Sequence, residues 1–243
     1  MTRKAEPRVE AVLARARTYP YDFPRESATY DNGEVRPFDS REIKNRTPVL
    51  AFGSNQSPTR LGQKYGHLND CVIPIERAVL HDFDVVFSAH LTSYGSVPAM
   101  LQSSPGAQIE VALTWLDDEQ LAIMHETEIR EANYYYGAID GVALSTETGA
   151  KHATVHAYFG TRGHLEHDDG GPIALSALAC EGRRYPSMTT GDAIELVRRR
   201  HAPESDPDAF ILTIIEDRNA RRRISAALGE RAVPFKGRVR RLD

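Results

Sequence analysis

Cysteine is nearly absent. Two residues in 243, Cys71 and Cys180, cannot build a disulfide framework, and neither belongs to a CxxC pair. A reducing cytoplasm is the expected setting, and no local signature accompanies a cysteine nucleophile. Long apolar runs are absent too. None approaches the roughly 20 residues that span a bilayer, so no membrane partner is expected. The N-terminus lacks the apolar centre of a secretory signal. Residues 3–17 are arginine-rich, but Glu6 and Glu10 interrupt them, which weighs against an organelle-targeting segment. There is no excess of positive charge: the net charge is −4, which offers no electrostatic footprint for nucleic acid. The arginine runs 198–200 and 221–223 lie in helix-like sequence and read as solvated faces.

Signatures of bound ions are missing as well. Residues 160–171 are glycine-rich but lack the Lys-Ser/Thr of a phosphate-binding loop. His164, Glu166, His167, Asp168 and Asp169 cluster in sequence, and His152 and His156 would share one strand face. No HExxH or related spacing accompanies them, so no metal is expected and a polar loop is the simpler reading. Arg183 and Arg184 are expected at the surface.

What is present is an ordinary globular composition, with 41% hydrophobic and 26% charged residues. Residues 7–17 have helical periodicity through Val9, Val12, Leu13 and Ala16. Pro20, Pro24, Asn32-Gly33 and Pro37 then break the chain into an extended arm. A short apolar strand, Val49-Leu50-Ala51-Phe52, ends in Gly53-Ser54-Asn55, and Ser57-Pro58 opens a helix to about residue 64. Strands are expected at 72–80 and 83–90, joined by His81-Asp82, and at 98–102 and 109–116, joined by a Ser104-Pro105-Gly106 turn. Asp117 with Gln120 reads as a capping box for a helix to residue 129. Two further strands, 134–144 and 154–159, precede the polar loop. Residues 173–228 read as predominantly helical. Strands in runs with single helices inserted argue for an α+β barrel or mixed sheet, not a doubly wound one.

One side chain breaks the pattern of the helix at 117–129. With Leu121 set at zero, Met124 falls at about 300° and Glu128 at about 340°, while Glu126 falls at about 140°. Glu128 thus continues the apolar face. A carboxylate there is costly unless paired or working, and desolvation is expected to raise its pKa toward the range useful for acid–base chemistry. The bland alternative is a pair with a nearby arginine such as Arg130. A second feature is the Phe52-Gly53-Ser54-Asn55 turn, whose backbone N–H groups can bind an anion and which can equally be an ordinary strand-to-helix connection.

Together these features resemble the γ-glutamylcyclotransferase-like superfamily. The resemblance rests on Phe52-Gly53-Ser54-Asn55 followed by Arg60-Leu61, a strand pair around residues 81–87, and Tyr94-Gly95 running into an apolar strand to Leu101. It continues through Ser104-Pro105-Gly106, the strand around Trp115, and Met124-His125-Glu126-Thr127-Glu128 at the end of a helix. It covers residues 48–159. Phe52 stands where tyrosine is usual, Ile129 where glycine commonly follows the glutamate, and Val111 where a strand glycine is frequent.

The resemblance implies a compact β-barrel with flanking helices over residues 47–172. An N-terminal helix and arm (1–46) would precede it, and a helical extension (173–243) would pack on it. It implies that Glu128 is the acid–base catalyst, with Phe52, Gly53, Ser54, Asn55 and Tyr135 binding substrate. The reaction is release of 5-oxoproline and a free amine from a γ-glutamyl amide, needing no metal or organic cofactor. The expected partner is that small molecule, with the protein a monomer or homodimer. A related amide-cleaving or tailoring enzyme and a non-catalytic binding module are the alternatives.

Overall fold

The computed structural model describes residues 6–129, 133–235 and 237–242, with side chains from Arg8 onward at its N-terminal end. Its elements run α1 (Glu6–Arg17), β1 (Ala28–Asp31), β2 (Glu34–Pro37), β3 (Thr47–Ala51), α2 (Pro58–Tyr65), β4 (Val72–Phe87), β5 (Ala99–Leu116), α3 (Asp118–Ile129), β6 (Tyr134–Thr146), β7 (Lys151–Gly160), α4 (Thr190–His201), α5 (Pro207–Glu216) and α6 (Arg218–Gly229).

Five strands close into a barrel in the order β4-β5-β3-β7-β6, with β6 returning to β4 at Leu80↔Leu144. The β3–β7 contact at Val49↔His156 is parallel and the other four are antiparallel. The fold is therefore α+β, a mixed barrel with flanking helices, as the strand-rich order implied.

Two expected hairpins are single long strands. β4 runs unbroken through His81-Asp82, and β5 through Ser104-Pro105-Gly106. The turn-favouring residues are absorbed as an irregularity, in which pairing jumps from His81↔Gln108 to Phe83↔Ser103. Asp82 (φ 65°) and Gly106 (φ 84°) supply the left-handed backbone there, and the Gly106 N–H donates to Asp82 Oδ1 at 2.8 Å.

The arm is more ordered than its prolines suggest. Asn32-Gly33, both at positive φ, turns β1 into β2, and β1 pairs with β4 from Ala28↔Ile75 to Asp31↔Val72. The tail is less helical than expected. Residues 173–189 carry only two-residue strands, and helix begins at Thr190. Asp217 ends α5 and accepts from the Asn219 and Ala220 N–H groups to cap α6.

Two apolar clusters hold these layers. The larger joins barrel residues such as Phe52, Leu101, Leu113 and Phe159 to Leu13 of α1, Ile194 and Val197 of α4, and Phe210 and Ile214 of α5. The extension thus packs on the barrel. The smaller cluster seats Leu61 and Tyr65 of α2 and Met124 of α3 against Val49, Ile73 and Leu116. This second cluster fixes α2 and α3 side by side, and the site lies where they meet the end of β3.

Candidate active site

The capping box forms as the sequence required. The Gln120 N–H donates to Asp117 Oδ1 at 2.9 Å, and Gln120 Oε1 accepts the Asp117 N–H at 3.2 Å. This sets the rotation of α3, burying Gln120 and Met124 on the barrel side. Glu128 lies one turn beyond Met124 on the same face, as its helical angle demands. Its partner is Lys64, with which it forms an ion pair. Lys64 occupies the inward stripe of α2 with Leu61 and Tyr65, an i, i+3, i+4 pattern. Its side chain is only 1% exposed, against 18% for Glu128, and Nζ also lies 3.0 Å from Met124 Sδ.

The same Glu128 oxygen, Oε1, accepts both from Lys64 and from Asn55 Nδ2, the latter at 3.3 Å. Among the described residues, Oε2 has no hydrogen-bond partner. Asn55 Oδ1 is buried and likewise without a partner. Two acceptors of this hydrogen-bonded pair of side chains are therefore left unused, and both residues line a cavity.

Burial alone pushes the Glu128 carboxyl up. The Lys64 ammonium, helped by the Asn55 hydrogen bond and the charge of Arg60, outweighs it and holds the group below the usual carboxylate range. The sequence-based expectation of a raised value is therefore reversed, because it contained the desolvation but not the buried lysine. Burial in turn pushes Lys64 down from the ordinary lysine range, against the pull of Glu128. Lys64 is the more deeply enclosed of the two, and the ionised pair is the arrangement its geometry fits. Arg130, the alternative partner, lies outside the described residues.

The cavity has a volume of about 370 Å³, toward the low end of the roughly 300–1,000 Å³ typical of small-molecule sites. The turn forms one wall through Phe52, Gly53, Ser54 and Asn55, and Glu128 faces it with Thr127. Tyr19, His90, Tyr94 and Tyr134 also line it, with Arg60 of α2. His90 is 3% exposed, and its Nδ1 lies 3.0 Å from Ser88 Oγ. Burial pushes its pKa down to about 3, so its ring is neutral over the physiological range. The Tyr134 hydroxyl donates to the Ala99 carbonyl at 3.0 Å.

Tyr135 is not at the cavity. Strand alternation sends it to the other face of β6, where its ring packs on Phe159 and beneath the Arg241 guanidinium. Its neighbour Tyr134 takes the inward place. Sequence reasoning also missed Lys64, Tyr19 and His90. Lys64 alone had a signal, its place on the apolar stripe of α2.

The other ionisable residues singled out in the sequence are engaged elsewhere. Arg183 holds Asp84 through two hydrogen bonds, Asp168 pairs with Arg200, and Glu166 pairs with Arg231. His164 lies 3.1 Å from Gln102 Nε2, and His152 packs on Trp115. Among the described residues, no group of three or more metal-ligating side chains comes together.

No family model and no curated protein matches the chain. Solved structures do. The chain is similar to a structure titled gamma-glutamyl cyclotransferase, with 16% identity over 76% of this chain and 99% of that one and a TM-score of 0.39. It is similar to an uncharacterized Homo sapiens protein at 14% identity, over 80% of this chain and 94% of that one, with a TM-score of 0.40. An Arabidopsis thaliana protein solved in solution gives 17%, 55%, 77% and 0.38 for the same four quantities.

Proposed function

We propose that the chain is a γ-glutamyl cyclotransferase-type enzyme that releases 5-oxoproline and a free amine from a small γ-glutamyl amide. The observation that carries the reading is the divided Glu128 carboxylate. Oε1 is tied to Lys64 and Asn55, while Oε2 and the Asn55 Oδ1 have no hydrogen-bond partner among the described residues. That pair of acceptors suits an ammonium group, and the nearby Arg60 guanidinium suits a substrate carboxylate.

In ring closure the substrate's α-nitrogen forms a bond to its own γ-carbonyl carbon, and the bond to the leaving nitrogen breaks. Two protons must leave the α-nitrogen and two must reach the leaving amine. A carboxylate that begins ionised can carry them in turn and end unchanged. Lys64 favours that ionised starting state. The enclosing wall supplies the rest by holding a flexible chain in its cyclising shape.

The test is 5-oxoproline release from a panel of γ-glutamyl amines, γ-glutamyl amino acids and glutathione. Turnover of at least one member is expected. Inertness toward the whole panel would remove the cyclotransferase reading.

A further inference from the structure

Tyr19 belongs to the N-terminal arm, in sequence far from the turn it touches. The arm is pinned here by the Thr190 hydroxyl, which donates to the Tyr19 carbonyl at 2.7 Å, and by the Arg17–Asp208 ion pair at 2.5 Å. Both anchors come from the C-terminal helices. They direct the phenol inward, and the residue is only 5% exposed.

The phenol oxygen ends directly over Gly53. A Cβ at that position would lie 2.3 Å from it, so only glycine leaves room for the hydroxyl. There the oxygen accepts the Ala99 N–H at 3.1 Å. A backbone amide therefore uses its acceptor capacity. Its own O–H remains, and among the described residues no acceptor takes it. The hydroxyl stands at the cavity wall, within electrostatic reach of Glu128.

We propose that Tyr19 donates its hydroxyl hydrogen to the carbonyl oxygen of the substrate as that oxygen gains negative charge during ring closure. The inference rests on the cyclotransferase reading above. Two features suit the role. Accepting from the Ala99 amide polarises the O–H and makes it a better donor. Burial holds the phenol well above the usual tyrosine range, so it stays protonated while it donates. The group is fixed before the reaction begins, the condition under which such a donor is most effective. In this arrangement the arm and the C-terminal helices do more than decorate the barrel, since they place a reacting-site group that the barrel lacks.

The test is Tyr19→Phe, which keeps the ring and removes one oxygen. Both proteins are assayed for 5-oxoproline release on the same panel, with thermal melts alongside. The expected result is a fall in kcat of about 100-fold, the scale of losing one preorganised donor. KM should stay within about twofold. An unchanged kcat, or a rise in KM alone, would overturn the proposal while leaving the cyclotransferase reading in place. No release by the parent would end both. Should the phenylalanine protein melt early, replacing Tyr19 by 3-fluorotyrosine keeps the hydroxyl and strengthens it as a donor. A changed kcat at an unchanged melt is then expected, and an unchanged kcat would contradict the donor role.

Discussion

Two of the carboxylates drawn into this barrel, Asp84 and Glu128, are treated in opposite ways. Asp84 on β4 has no exposure, and both of its oxygens are committed. Oδ1 accepts the Val85 N–H at 2.8 Å and Arg183 Nη2 at 3.1 Å, while Oδ2 accepts Arg183 Nε at 3.0 Å. Glu128 commits one oxygen to Lys64 and Asn55 and leaves the other at a cavity. A bidentate arginine closes a site, because its planar fork uses both oxygens at once. A lysine is a point charge that neutralises without enclosing. The choice of cation therefore separates the enclosed carboxylate from the one left partly open at the cavity.

That contrast can be broken at either end. The largest effect on stability is expected at the closed pair. Arg183→Met removes the counter-charge of a fully buried carboxylate, leaving Asp84 only the Val85 N–H. It should cost about 3–5 kcal/mol in denaturant unfolding, with kcat per folded molecule unchanged. A loss under about 1 kcal/mol would mean that Asp84 does not need its arginine.

At the open pair, Lys64→Met removes the charge that holds Glu128 down, and burial then dominates. A group whose folded pKa is depressed is ionised above that pKa and loses its charge as pH falls through it. Raising the pKa therefore moves the acid limb of kcat/KM to higher pH. A shift of at least one pH unit is expected, with the sharpest loss of rate on the acid side of neutrality. An unmoved acid limb would mean that Glu128 is not the group titrating in that profile.

Much of this arrangement was legible in the chain, and the failures have identifiable causes. The helical angle of Glu128 and the Asp117–Gln120 capping box were readable because both depend on local periodicity. The same geometry selects Lys64 from the Leu61, Lys64, Tyr65 stripe of α2. Its omission reversed the expected direction of the Glu128 pKa, since desolvation was counted without its counter-charge. Tyr135 was assigned from the resemblance, and a one-residue difference on a strand places a side chain on the opposite face. His81-Asp82 and Ser104-Pro105-Gly106 carry turn chemistry, but a bulge and a turn use the same residues. Only pairing across the sheet tells them apart. Tyr19 had no local signal, because its place is set by contacts with Ala99 and Thr190 far along the chain.

The most direct measurement of the central claim is single-turnover 5-oxoproline formation by the parent protein and by Glu128→Gln on the panel member the parent turns over fastest. The amide keeps the size of the carboxylate and cannot carry the protons. A fall of about 10²–10⁴-fold, with the melt showing the fold retained, is the predicted result. Product formation within threefold of the parent would show that the open carboxylate is not the acid–base group.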